Sequence, residues 1–323
     1  LLPRAPKYEE TETMTQNSDI SGKSWIMVAV LGFTWGGTFL VTELALTGIT
    51  PFWLAAGRIG FAAVLMLAIW QAMGGRLFAE PPRADAWAAM VAIGAFSSAI
   101  PFMLLAWGQQ YVTSGFAGVS MASVALTVLP LAHFFVPGER LTLRRTIGFL
   151  IGFAGVCVLI GGRAFESTGA GLETAGRMAC VGAALCYGIS SVLMRRLPQI
   201  DPIGLSTVLL LIAAAIVVPA ALIVEGLPPL PSAQTLLVIA FLGLVPTAAA
   251  NFLRVTVIRT AGPVFMSLTN YQVPVWSVLM GIVLLGEPAP PSLFLAMALI
   301  LAGVGLSQYG ALRRLFGASR AGQ

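Results

Sequence analysis

The feature that most constrains this chain is a succession of apolar runs, each about 20 residues long and almost free of charge. Hydrocarbon offers no hydrogen-bond partners, so a segment inside it must satisfy its own backbone, as a helix or a closed barrel does. Barrel strands alternate in polarity over about ten residues. These runs are roughly twice that long and do not alternate. They fall at about 24–46, 51–73, 85–107, 113–136 and 143–162, then at about 172–194, 202–224, 233–254, 262–285 and 292–312. Composition agrees: 58% of the residues are hydrophobic and 10% charged, with a mean hydropathy of +0.90. A soluble domain is nearer 25% charged. The reading is an all-α integral membrane protein with ten transmembrane helices, joined by loops too short to form an extramembrane domain.

Loop charge orients the helices. The chain has 18 Lys and Arg. With the amino terminus in the cytoplasm, all of them except Arg58, Arg163 and Arg177 fall in inner loops and tails. That is the positive-inside asymmetry, and it places both termini in the cytoplasm. It also accounts for the net charge of +5 without a nucleic-acid partner. Residues 1–22 are polar and lack the apolar core of a signal peptide, so they read as a disordered cytoplasmic tail, with Met14 a candidate native start. Residues 313–323 read as a cytoplasmic C-terminal tail. Cys157, Cys180 and Cys186 lie within apolar runs and read as reduced packing residues, neither disulfides nor metal ligands. No cofactor is expected. Abundant Ala, Gly and Arg with compact loops suggests a bacterial inner membrane.

The two halves echo each other. "AFSSAIP" at 95–101 returns as "AFLGLVP" at 240–246, so Pro101 and Pro246 take equivalent places in the third and eighth spans. "PGERLT" at 137–142 pairs with "LGEPAP" at 285–290, and "GFAGVCVLIG" at 152–161 with "ILAGVGLSQY" at 300–309. Trp35-Gly36 and Tyr187-Gly188 mark the first and sixth spans. Residues 23–162 and 163–312 are therefore expected to be two repeats of five helices. An odd number of crossings forces the second copy to insert upside down, an arrangement characteristic of secondary transporters.

These residues resemble a family. "WGGTF" in the first span, Arg58 early in the second, and "GERLT" followed by "GFLIGFAGV" are similar to the drug/metabolite transporter (DMT) superfamily. Within it they resemble the ten-helix EamA-type exporters, including the YddG-like amino-acid exporters. The resemblance covers roughly residues 24–312. It implies an exporter whose fifth and tenth spans are scaffold or dimer contact. One departure stands out: Glu43 lies near where many relatives are basic, which bears on the charge of the substrate.

Ionisable groups inside a bilayer are costly and default to functional candidates. The spans offer Glu43, Arg58 and His133. Glu43 and Arg58 lie toward the outer ends of neighbouring spans. They either pair to lock the first two helices, or Arg58 binds a substrate carboxylate. His133 reads as an interfacial or packing residue. No Asp or Glu lies near the middle of any span, which points to facilitated diffusion or exchange. Pro101, Pro130, Pro246 and Pro274 recur in pairs across the halves and are candidate hinges; each frees a carbonyl one turn back. The candidate cavity residues are Trp35, Thr38, Arg58, Trp107, Tyr187, Asn251, Asn270 and Tyr271. Trp25, Trp53 and Trp87 are assigned to the interfacial belt.

The expected function is secondary transport of small organic solutes by alternating access around a weakly charged cavity. Amino acids, including apolar and aromatic ones, are the favoured substrates. Sugar phosphates would require several inward cations. A multidrug exporter of aromatic cations is the alternative, with Glu43 its only acid. A channel would show no trans stimulation. An intramembrane enzyme would need a catalytic cluster, which one His and no central acid do not supply. The expected partners are a small-molecule substrate and the lipid bilayer, with no nucleic acid, and the protein is expected to be a monomer or homodimer.

Overall fold

The computed structural model describes residues 21–78, 84–135, 142–161, 171–195, 197 and 200–318. Apart from one isolated bridge between Phe78 and Ile200, these residues form helices and turns. The helices are α1 (Gly22–Leu46), α2 (Pro51–Ala72), α3 (Ala84–Gly94), α4 (Ile100–Gly108), α5 (Ser114–Ala122), α6 (Val124–Phe135), α7 (Leu143–Gly161), α8 (Glu173–Met194), α9 (Pro202–Glu225), α10 (Ala233–Leu242), α11 (Ala250–Met266), α12 (Thr269–Leu285) and α13 (Pro291–Ala318). Wide π turns at Ala95–Ala99 and Gly243–Ala249 join α3 to α4 and α10 to α11, and α5 passes into α6 through Ser123. Eight of the resulting rods are long and apolar enough to cross a membrane, and α12 is a shorter apolar helix. The remaining rod, α7, has 19 residues and carries Arg144 and Arg145 in its first turn.

Helix starts follow from the local sequence. Thr113, Asp201 and Ser232 accept backbone N–H bonds from the first turns of α5, α9 and α10. Pro51 and Pro202 occupy first helical positions, where the missing N–H costs nothing. One boundary moves. α11 runs on to Met266, and the chain turns at Ser267–Leu268 instead of before residue 262. Short bonds from Leu268 N to Phe265 O (3.1 Å) and from Asn270 N to Ser267 O (3.1 Å) carry the chain over. α13 likewise continues to Ala318, past the expected end at 312. The expected N-terminal tail (nearly all of it), Glu139 and Arg163 lie outside the described residues.

Packing obeys the repeat. α1 lies on α12 and on the α10–α11 rod, and its counterpart α8 lies on α6 and on the α3–α4 rod. α2 pairs with α9, α5 with α12, and α7 with α13, each a contact between a span and its own repeat partner. Small residues set these distances. A Cβ on Gly94 would fall 3.1 Å from Leu209 O, and one on Gly243 would fall 2.6 Å from Arg58 O. The first contact joins the third span to the seventh, the second joins the eighth to the second. The two contacts lie about one helical turn apart in the repeat, and the helix starts set the register: Arg58 and Leu209 each stand seven residues past the proline that opens the helix, Pro51 and Pro202, which makes Leu209 the counterpart of Arg58.

The outer surface is apolar, with Val64, Phe134, Leu150, Phe153 and Ile223 among the large exposed side chains, as lipid contact requires. Trp25 and Trp87 are exposed near rod ends, and Trp53 donates its indole N–H to Gly226 O at 3.1 Å. The three cysteines are free, Cys157 exposed and Cys180 and Cys186 buried.

α7 and α13 meet at their glycines: a Cβ on Gly148 would lie 2.6 Å from Gly303 O. Gly303→Val is expected to force the two helices apart at a cost of about 1–3 kcal/mol. Thermal denaturation in detergent checks this, with Gly60→Ala as the control because nothing lies within 4 Å of its Cβ position.

Candidate functional site

The rods enclose a cavity of about 1440 Å³. One end opens among His133, Arg144, Arg145, Arg195, Arg254 and Gly310. The other end stops at Thr42 and Gln109, where the Gln109 amide donates to Phe39 O at 2.8 Å. Beyond it, the Glu287 carboxylate accepts from Ser114 N (2.7 Å) and Gly115 N (3.0 Å), and Ser277 Oγ donates to Ser114 O at 2.8 Å. No acidic side chain lines the cavity among the described residues.

The core of the site follows from one missing N–H. Pro246 cannot donate to the Leu242 carbonyl one turn back. The π turn passes that carbonyl to the N–H of Thr247, five residues on, and Thr247 Oγ1 donates to it as well, at 2.8 Å. Its lone pair then accepts from Arg58 Nε, also at 2.8 Å. The guanidinium is laid over the Phe102 ring, 4.0 Å from its centroid, in cation–π geometry. The Pro246 carbonyl accepts the Trp35 indole N–H at 3.1 Å. Thus α1, α2, the α3–α4 rod and the α10–α11 rod converge on one π turn.

Six of the eight expected cavity residues line this space: Trp35, Thr38, Arg58, Tyr187, Asn251 and Asn270. Thr38 and Thr42 donate back to carbonyls of their own helix, at 3.0 and 2.8 Å. Asn251 Nδ2 donates to Ser206 Oγ at 2.8 Å, and Asn270 is exposed toward the cavity. Trp107 and Tyr271 lie off it. Trp107 stands against Tyr111, with centroids 5.1 Å apart, on the side of α4 away from Phe102, Leu105 and Ala106. Tyr271, one residue on from Asn270, turns into the apolar core around Val273 and Val278. The proposed pairing of Glu43 with Arg58 is not made. Arg58 is held by Thr247 and Phe102, while Glu43 lies at the closed end with its Oε2 buried and unpartnered.

Each paired proline lies at or near a break. Pro101 follows the first π turn, Pro246 sits within the second, Pro130 lies within α6 beyond the Ser123 break, and Pro274 lies within α12 beyond the turn at Ser267–Leu268. Sequence reasoning missed Phe102, Ser97, Ser98 and Gln109 as lining residues. Ser97 carried a usable signal, since it lies four residues before Pro101 and holds the carbonyl that Pro101 frees. The cavity mouth is also more basic than expected, because residues read as loop charges turn inward. α7 and α13 reach it only through their ends, with Arg144, Arg145, Ser307 and Gln308.

Thr247→Val keeps the side-chain shape and removes the hydroxyl. It is expected to cost about 1–3 kcal/mol, chiefly through the Arg58 Nε left without its acceptor, read as a lower Tm in detergent.

Comparison with known proteins places this architecture. The sequence pattern of the EamA-like transporter family matches twice, over residues 22–161 and 174–308. An uncharacterized transporter of Archaeoglobus fulgidus is 28% identical over 42% of this chain and 47% of its own length. Protein PagO of Salmonella typhimurium is 29% identical over 51% of this chain and 52% of its own. The chain thus spans about half the length of these two relatives. A probable terminal-alkyne amino-acid exporter of Streptantibioticus cattleyicolor is 28% identical over 94% of this chain and 99% of its own. A crystal structure of a protein with 23% identity superposes with a TM-score of 0.63, covering 90% of this chain and 99% of the other, which supports the fold. With the family pattern present in both halves, this chain belongs to the EamA-like transporter family.

Proposed function

We propose that this protein exports small amphiphilic solutes bearing a carboxylate, with apolar and aromatic amino acids the leading class, by alternating access. The observation that carries this reading is a cavity with a guanidinium at its depth, aromatic faces around it and no acid among the described lining residues. Thr247 occupies Nε of Arg58 and leaves the terminal nitrogens to grip a carboxylate as a fork. Trp35, Phe102 and Tyr187 offer faces for an apolar side chain. The amide oxygens of Asn251 and Asn270, with the carbonyl freed by Pro274, offer acceptors for an ammonium group. The similarity to a probable terminal-alkyne amino-acid exporter supports the same class.

By the positive-inside rule the open, arginine-rich end faces the cytoplasm and both termini lie there. This conformation would then load from inside, in a bacterial inner membrane. The residue blocks 23–162 and 163–312 act as the two moving halves, and Pro101, Pro130, Pro246 and Pro274 mark the hinges. The acid-free lining speaks against aromatic cations, because Glu43 is not among the lining residues. It also leaves no carboxylate in the cavity to carry a coupling ion, so transport proceeds as facilitated diffusion or exchange.

Proteoliposomes loaded with unlabelled phenylalanine or leucine should take up the labelled amino acid by counterflow. An imposed pH gradient should not drive accumulation. Uphill uptake in such a gradient, or counterflow of cationic dyes alone, would overturn the reading. Arg58→Ala is expected to weaken apparent affinity about 10- to 100-fold, the worth of a charge-assisted hydrogen bond.

A further inference from the structure

Among the described residues, four buried side-chain atoms have no hydrogen-bond partner: Glu43 Oε2, Gln109 Oε1, Ser114 Oγ and Tyr271 OH. The first three belong to the closed end. Glu43 rises from the last turns of α1, beyond Gly36 and Gly37, which pack on Ser277 and Met280 of α12, and so stands on the side of Glu287, which follows α12. Both oxygens of Glu287 are already occupied, by the N–H groups of Ser114 and Gly115 at the start of α5. Ser114 is fully buried, and its hydroxyl points toward the same spot: a Cβ placed on Gly281 would lie 3.0 Å from Ser114 Oγ and would also strike the Glu287 carboxylate. One acid therefore stands on the side of another that has a buried, unpartnered hydroxyl beside it.

Two carboxylates turned toward each other in a buried setting repel when both are ionised, and a proton on one of them turns repulsion into a hydrogen bond. We propose that Glu43 holds a proton and donates it toward Glu287, and that this proton latches the closed end by tying α1 to the α12 loop and the start of α5. When the proton leaves, the carboxylates repel, Glu287 stays with the amides of α5, and α1 is released. The proton is gained and lost on the same face, so it gates opening without being carried across the membrane.

Other charged groups at this end are engaged elsewhere. Glu173 and Arg177 of α8 pair with each other, and Arg177 lies 5.7 Å over the Phe116 ring of α5. Glu225 of α9 accepts from Thr50 Oγ1 and from the backbone N–H groups of Phe52 and Trp53. Among the described residues, Glu287 is the titratable group that bears on Glu43. The neighbouring faces of α5 and α12 present Ser114, Gly115, Ser277 and Gly281.

The proposal rests on the alternating-access reading, but its test uses no substrate and so fails independently of it. Spin labels placed by cysteine substitution at the exposed Thr47 and Pro288, in a Cys157→Ser background, report the gap between α1 and the α12 loop by pulsed electron resonance in nanodiscs. The expected result is one short distance at acid pH and a growing longer one as pH rises. Glu43→Gln should keep the short distance at every pH, since its amide donates to Glu287 without titrating. Infrared titration of the unlabelled protein should show one protonated-carboxyl band lost over the same pH range and absent from Glu43→Gln. A distance that ignores pH, or follows pH equally in Glu43→Gln, overturns the latch. So does one that responds to sodium in place of choline at constant pH, which would make the site a cation site.

Discussion

The rule that hydrocarbon tolerates no unsatisfied backbone carbonyl governs both the architecture and the site. It makes the membrane-crossing segments among the described residues helical. It then makes each buried proline a local problem, because the carbonyl one turn back needs a new donor. At Pro246 the donor is Thr247, and its hydroxyl, bonded to the same carbonyl, is the group that fixes Arg58. A guanidinium in a low-dielectric interior persists only with partners. Here they are a threonine oxygen and the face of Phe102. One hydroxyl thus serves both the wide turn at Pro246 and the buried guanidinium.

Much of the fold was legible because lipid simplifies the code. Run length, proline positions and loop charge were enough to outline the rods, and the aromatic-Gly steps and paired prolines revealed the duplication. What stayed hidden was phase. Each π turn adds a residue relative to an α-helix and rotates all that follows, so a stripe drawn at 3.6 residues loses register across Ala95–Ala99. In the third span the aromatic that lines the cavity is Phe102, beyond that turn, and not Trp107. Tyr271 misled for a simpler reason. It adjoins Asn270 in sequence, and adjacent helical residues point about 100° apart.

Partnership was the second thing the sequence could not convey. Glu43 and Arg58 are close along the chain and opposite in charge, so pairing them was reasonable. The groups that bear on them, Glu287 and Thr247, come from the other half, some 244 and 189 residues away. Only an inverted duplication brings such segments together, by laying α1 on α12 and α2 against the second π turn. The same folding sends Arg144 and Arg195 into the mouth, where a linear reading leaves them as topological signals.

The duplication is faithful in backbone and unfaithful in charge: Arg58 and its counterpart Leu209 stand at the same distance past Pro51 and Pro202, yet only one is a cation. The consequence is electrical. Any exchange of conformation between the halves that shifts Arg58 along the membrane normal moves a fixed charge through the transmembrane field, with nothing moving oppositely from the Leu209 side. A full crossing of one elementary charge at 100 mV is worth about 2.3 kcal/mol, and a partial displacement a proportional share. Under alternating access, the resting orientation would then depend on membrane voltage even for a cargo of no net charge.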